Sequence, residues 1–225
     1  MIPPFVPWLV LAAGVTGGIA ALAVRWDRRR REALEQYCLV RGYRFERERP
    51  GAEAPLAEAF GIFGQGRSRR WRATISGAVG GRPFTAFEYS YVTGGGKESN
   101  RHRLMVLLWE SPDANLPRFS LVPEGFFRRL AQRFGMQDFD FVDDPAFSRA
   151  YQLQGDDEAA VRALFTPARR AFFTAPSADG GETPRHHVAG AGPRLLWWRN
   201  GGLPKPDALD QFLADGDRLR RQFLD

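Results

Sequence analysis

The chain has 225 residues, 44% of them hydrophobic and 13% aromatic, so it can build a packed core, and disorder is excluded as its default state. Lys and Arg number 32 against 26 Asp and Glu, a formal charge of +6 that raises nucleic acid or an anionic membrane as partners; most of the excess sits in one cluster near the start. The single cysteine, Cys38, excludes an internal disulfide framework and fits a reducing compartment.

From Ile2 to Val24 there are 23 residues without a formal charge. As a helix they would extend roughly 34 Å, enough to span a hydrocarbon core of roughly 30 Å. Pro3, Pro4 and Pro7 place the usable helix at Pro7 to Val24, with Pro7 in its first turn and Trp8 and Trp26 at the two headgroup regions. A cleavable signal peptide is the rival reading, because Ala21-Leu22-Ala23 mimics a cleavage site; against it, the basic residues follow the apolar core instead of preceding it. A core helix would rarely be apolar all round over such a length.

Arg25, Arg28, Arg29, Arg30 and Arg31 close this run. Basic residues beside a span stay in the cytoplasm, so the expected location is the inner membrane, single-pass, with the N-terminus out and the bulk of the chain cytoplasmic. The bilayer is then the first expected partner, with the same arginines against anionic headgroups. Gly14 and Gly18 form a G-x-x-x-G pair that would let two such helices approach closely as a homodimer, although glycine is also simply frequent in membrane helices. The predicted organisation is residues 1–31 as transmembrane helix and basic flank, and residues 32–225 as one cytoplasmic domain.

After the arginines, REALEQYCLV continues as a helix with Leu34, Tyr37 and Cys38 on one face and Gly42 as its stop. Tyr43 and Phe45 alternate with charges in a short strand. RRWRATISGAVGGRPFTAFEYSYV predicts a hairpin turning at Gly80-Gly81, with Ile75 opposite Ala86, Thr74 opposite Phe87, and Phe87, Tyr89 and Tyr91 on one face. RLMVLLWE is apolar on both faces and should be central in its sheet, and RFSLV is a further strand ending at Pro123. EGFFRRLAQRFG predicts a helix and DFDFV a strand. GDDEAAVRALF places three acids in a helix's first turn, and Thr166-Pro167 starts the next helix. SADGGETP is a loop and HHVAGAGPRLLWWR a hairpin. The tail is an amphipathic helix with Leu209, Phe212, Leu213, Leu219 and Phe223 inward. The fold class is α+β, a mostly antiparallel sheet packed with several helices.

Chemical templates fail one by one. Gly94 to Lys97 resembles a phosphate loop, but it lacks the upstream glycine and the hydroxyl residue and joins two strands. The glycines of FGQGRSRR lack the strand and helix of a dinucleotide fingerprint and read as a turn. Of three histidines, His102, His186 and His187, the adjacent pair points to opposite faces of a strand, and all three read as surface or strand-edge residues. Asp138, Asp140, Asp143 and Asp144 are dense enough for a hard cation but lack the glycine and terminal glutamate of a calcium loop. Cys38 has no visible base, and no G-x-S-x-G elbow exists. No catalytic residue, cofactor or metal is therefore expected. Arg67, Arg69, Arg70 and Arg72 around Trp71 are residue types that nucleic acid would use, yet a charged edge strand explains them equally, and nucleic acid is not the expected partner.

Four motifs carry a resemblance. They are F-x-x-F-x-x-G at Phe60, Phe63 and Gly66; F-x-Y-x-Y at Phe87, Tyr89 and Tyr91; L-P-x-F-x-L-x-P-E from Leu116 to Glu124; and F-S-x-x-Y-x-L-x-G-D-D-E from Phe147 to Glu158. In them the chain resembles single-pass bacterial proteins that join a membrane helix to a cytoplasmic domain of unknown function. The resemblance implies no activity. The expected role is a membrane-anchored binding or scaffold domain that meets a protein partner, with the aromatic hairpin and Trp197-Trp198 as candidate contacts if they are not core. The alternative is a tethered enzyme whose site is assembled from scattered residues, for which a polar pocket collecting His102 with carboxylates would be the sign.

Overall fold

Alternation between the two faces of RRWRATISGAV and PFTAFEYSYV makes two long strands, β2 (Arg67–Val79) and β3 (Arg82–Thr93). Gly80 and Gly81 between them both take positive φ, 59° and 76°, the conformation of a primed two-residue turn whose twist matches the strands. The computed structural model describes residues 25, 28–49, 51, 54–124, 137–176, 185–202 and 204–225. The expected membrane helix with Gly14 and Gly18, the helix expected after Glu124 and the loop SADGGETP lie outside the described residues. Among the described residues no helix is long and apolar enough to cross a membrane.

The remaining strands are β1 (Arg44–Glu48), β4 (Asn100–Glu110), β5 (Leu116–Pro123), β6 (Gln137–Asp138), β7 (Tyr151–Gly155), β8 (His187–Gly192) and β9 (Arg194–Asn200). They form one nine-stranded sheet in the order β1-β2-β3-β4-β9-β8-β5-β7-β6. Every described pairing is antiparallel. The fold class is thus α+β with a large antiparallel sheet, and β4, apolar on both faces, lies inside it between β3 and β9.

Helices pack on one face of the sheet. They are α1 (28–41), α2 (Pro145–Ala150), α3 (Glu158–Leu164), α4 (Pro167–Thr174) and α5 (Pro206–Leu224). The buried row of α5, Leu209, Phe212, Leu213, Leu219 and Phe223, is the one expected from the sequence. At roughly 2 kcal/mol per buried large apolar side chain, this face contributes on the order of 10 kcal/mol before entropy is subtracted. Short 3-10 turns at Ala54–Leu56 and Gly61–Gly64 bring Leu56, Phe60 and Phe63 onto the opposite face, against Trp71, Phe87 and Tyr89. Neighbouring Trp197 and Trp198 divide between the two faces.

Three expectations are corrected. A bulge between Arg72 and Ile75, with Ala73 at φ 49°, removes Thr74 from its place opposite Phe87, whereas Ile75 does pair with Ala86. The bulge lets Thr74 Oγ1 accept from the buried Trp71 indole Nε1 at 2.7 Å, a donor that burial would otherwise orphan. The strand expected in DFDFV stops after Asp138, although Phe139 and Phe141 are buried. Of the acids before α3, Asp157 is the N-cap, its carboxylate accepting from the Ala160 amide at 3.0 Å, and only Glu158 lies in the first turn.

Candidate functional site

Of the five arginines that close the apolar run, Arg28, Arg29, Arg30 and Arg31 open α1, and this helix is fastened to the domain. Leu34 and Cys38, one turn apart, face the sheet and are fully buried. The Tyr37 hydroxyl donates to Asp210 of α5, and Arg41 reaches the other oxygen of that carboxylate at 2.5 Å. Burial, and then this hydrogen bond, push the Tyr37 hydroxyl above its usual range. Gly42, at φ 70°, ends the helix. Tyr43 then packs edge-on against Phe84, with ring centres 5.3 Å apart. Burial, helped by Glu35, pushes the Cys38 thiol up to about 11, so it stays protonated at neutral pH and is no nucleophile.

Arg25, Arg28 and Arg29 are exposed, and Arg30 and Arg31 are half-buried. Arg28 pairs with Glu32 at 2.9 Å on the exposed side of the helix. Arg30 lies with Glu88 of β3 against Gly202, after the end of β9. The basic flank is therefore displayed on a helix whose other side is part of the core. Gly14 and Gly18 belong to the residues outside the description.

His186 and His187 do point to opposite faces, His186 toward Phe172, Phe173 and Trp197 and His187 toward Trp198. His187 is not a strand-edge residue, however: β8 is interior, between β9 and β5, and His187 is 5% exposed, while His186 stands half-buried just before the strand. Burial pulls both imidazoles down to about 4. His102 stacks on Tyr91 with ring centres 4.8 Å apart and shares a 2.8 Å hydrogen bond with Thr93. No group of three His, Cys, Asp or Glu among the described residues could hold a metal ion.

The acidic run serves an arginine that the sequence reading did not single out. Arg170 of α4 is 5% exposed and reaches Asp143 at 2.6 Å, Asp144 at 3.0 Å and the Phe165 carbonyl at 3.2 Å. Its guanidinium carbon lies 4.1 Å from the centre of the Phe141 ring. Asp144 also caps α2 by accepting from the Phe147 amide at 3.1 Å, and Asp138 accepts from Gln152 at 2.9 Å. A second buried arginine, Arg220 of α5, holds Asp217 at 2.8 Å and the Asp225 carboxylate through two nitrogens at 2.7 and 3.1 Å. Burial works to raise the Asp217 carboxyl, but hydrogen bonds from Arg220 and Arg221 outweigh it and hold the group below its usual range. The pairing of Arg170 is near-invisible in the sequence, since Asp143 lies 27 positions away, whereas the partners of Arg220 lie within five positions of it.

Beside Arg220 a cleft of about 110 Å³ opens between Arg82, Trp109, Ser111, Pro112 and Leu224. The Trp109 indole Nε1 is buried without a hydrogen-bond partner among the described residues. The cleft is well below the roughly 300 Å³ at which small-molecule pockets begin, and His102 is not among its walls. The residues proposed from sequence as partner contacts, Tyr89, Tyr91, Trp197 and Trp198, are all buried and belong to the core. Trp71 is likewise 5% exposed and stacked on Phe87, which removes it as a platform for bases.

No family model matches the chain, and no curated protein matches it. Among solved structures, the crystal structure of the mycobacterial trehalose monomycolate transport factor A, TtfA, is similar, with a TM-score of 0.57 over 87% of this chain and 90% of that one. At 13% identity the similarity is one of fold.

Proposed function

We propose that the chain is a binding or scaffold domain tethered to the inner membrane by a single N-terminal span, with its bulk in the cytoplasm and a protein partner near the bilayer. The observation that carries this reading is the docking of α1: the helix that follows the apolar run buries Leu34 and Cys38 and is fixed to α5 through Asp210, while Arg28 and Arg29 at its start are exposed. A tether that is also a core helix holds the domain in a defined pose, and confinement to one surface raises the local concentration of any partner on it. Two tethers packed at Gly14 and Gly18 would make the unit a homodimer. Nucleic acid is not the partner in this reading, since the aromatic residue among the β2 arginines is buried. TtfA, which shares the fold, is named a transport factor; the likeness makes a transport assembly worth seeking among the partners and carries neither cargo nor site residues to this chain.

Affinity capture from membranes tests the reading, comparing the full chain with one lacking residues 1–31. The expected result is a protein recovered with the full chain and lost with the shortened one. Equal recovery by both would remove the role of the tether, and recovery of none would remove the scaffold. A reporter fused after Asp225 should read as cytoplasmic.

A further inference from the structure

The position of Arg30 fixes how α1 runs across the sheet. Arg30 and Glu88 both lie beside Gly202, and Gly201 donates to the Arg103 carbonyl at 2.8 Å, whereas Tyr43, just past the helix, packs on Phe84. The helix therefore runs antiparallel to β3. Its start points toward the end of the sheet where β3 finishes and where β2 and β4 begin. From Arg30 back to Arg28, where α1 begins, the helix rises about 3 Å, and from Glu88 to Ser90 the strand advances about 6.6 Å, so the start of α1 points to this end.

Register shows what stands there. The row level with Glu88 is neutralised: Arg72 pairs with Glu48, and Arg199, opposite Met105, faces Asp215 at 3.8 Å. The next row across β2, β3 and β4 is Arg70, Ser90 and Arg103, and the one beyond it is Arg67, Val92 and Arg101. Met105 and Arg103 share the face of β4 that packs toward the helices, as Leu104 and His102 share the other. Arg70, Arg101 and Arg103 are exposed, and their guanidinium groups have no hydrogen bond or ion pair among the described residues. Arg67 is spent on the Gly94 carbonyl. Among the described acids of this region, Glu32, Glu48 and Glu88 are all partnered, and Glu98 stands exposed in the turn between β3 and β4.

We infer that this sheet end is a second anion-binding surface, continuous with Arg25 to Arg31 and fitted to the anionic headgroups of the bilayer that α1 approaches. The inference rests on the tethered reading and extends it: the domain lies against the membrane by the starts of β2 and β4 instead of hanging from a stalk. Bare guanidinium groups on one rigid face suit a plane of phosphates, which each arginine can bind without competition from a carboxylate of its own. A deep or aromatic-lined groove of the kind that threads single-stranded nucleic acid is not part of this face, because Trp71 points into the opposite core.

Arginine footprinting tests it. The full chain is incorporated into vesicles of neutral phosphatidylcholine, or of a mixture with about three in ten lipids as phosphatidylglycerol, treated with phenylglyoxal and read by mass spectrometry. Arg70, Arg101 and Arg103 should lose about threefold or more of their reactivity on the anionic vesicles and regain it at roughly 0.5 M salt, while Arg149 and Arg218 stay unchanged. Equal reactivity on both vesicles overturns the inference, as does shielding by a single-stranded oligonucleotide with none by anionic lipid. Flotation with the neutral vesicles reports the tether separately: a chain that fails to float there refutes the tethered reading, yet its footprint on added anionic vesicles still decides for or against this surface.

Discussion

Arg170 and Arg220 are nearly inaccessible and each holds two carboxylates, whereas Arg70, Arg101 and Arg103 are exposed and hold none among the described residues. The same side chain thus does two kinds of work in two regions. Arg170 ties α4 to the start of α2 and Arg220 ties together the last turns of α5, and in both places the charge is cancelled locally. At the end of the sheet beside α1 the arginine charge is left open to solvent. The formal charge of +6 is therefore not a uniform property of the surface, and the unpaired end is where a partner of opposite charge would be met.

The comparison breaks most sharply under truncation of the paired set. Arg220→Ala leaves the buried Asp217 with Arg221 as its remaining partner and frees Asp225, and should cost about 3 kcal/mol in urea unfolding, as should Arg170→Ala, which strips Asp143 and Asp144 of the same guanidinium. A loss near zero for both would mean that these clusters are surface ion pairs like any other. Acid sharpens the contrast next. The folded imidazoles of His186 and His187 sit at about 4 against an ordinary 6.5, so the unfolded chain binds more protons between those values and stability falls as pH drops from about 6.5 to about 4. For the buried His187 that loss is on the order of 3 kcal/mol. The Asp217 carboxylate is held below its ordinary range, so its stabilising pairing persists through this window and fails only below it. Unfolding midpoints at pH 7 and 4.5 check this, and His187→Gln should flatten the difference.

Smaller effects follow. Thr166→Ala removes the side-chain cap of the helix that carries Arg170 and should cost about 1 kcal/mol. Arg70→Gln, Arg101→Gln and Arg103→Gln should each change stability by less than about 0.5 kcal/mol, because exposed groups without partners leave nothing unsatisfied. A large loss from any of the three would place it with the paired arginines.

Much of the fold was legible because local chemistry dictated it. Gly80-Gly81 set the hairpin register, Thr166-Pro167 set a helix start, Gly42 a helix end, and the apolar β4 its interior place. What escaped was non-local. The bulge at Ala73 has no glycine to announce it, and the sequence left Asp143 and Asp144 without a role until Arg170, on a later helix, supplied the charge they answer to. His187 read as an edge residue because nothing in its own stretch reveals that β8 is flanked on both sides. The unpaired rows escaped for the same reason, since Arg70 and Arg103 become neighbours only through the register of β3 with both its partners.

The account as a whole depends on the apolar run remaining attached to α1 in the lipid. Intact-mass measurement of the chain recovered from alkaline-washed membranes tests this most directly. The account predicts the full polypeptide in the membrane fraction, with Gly14 and Gly18 still present; a product cut after Ala23 and free in the periplasm would contradict it.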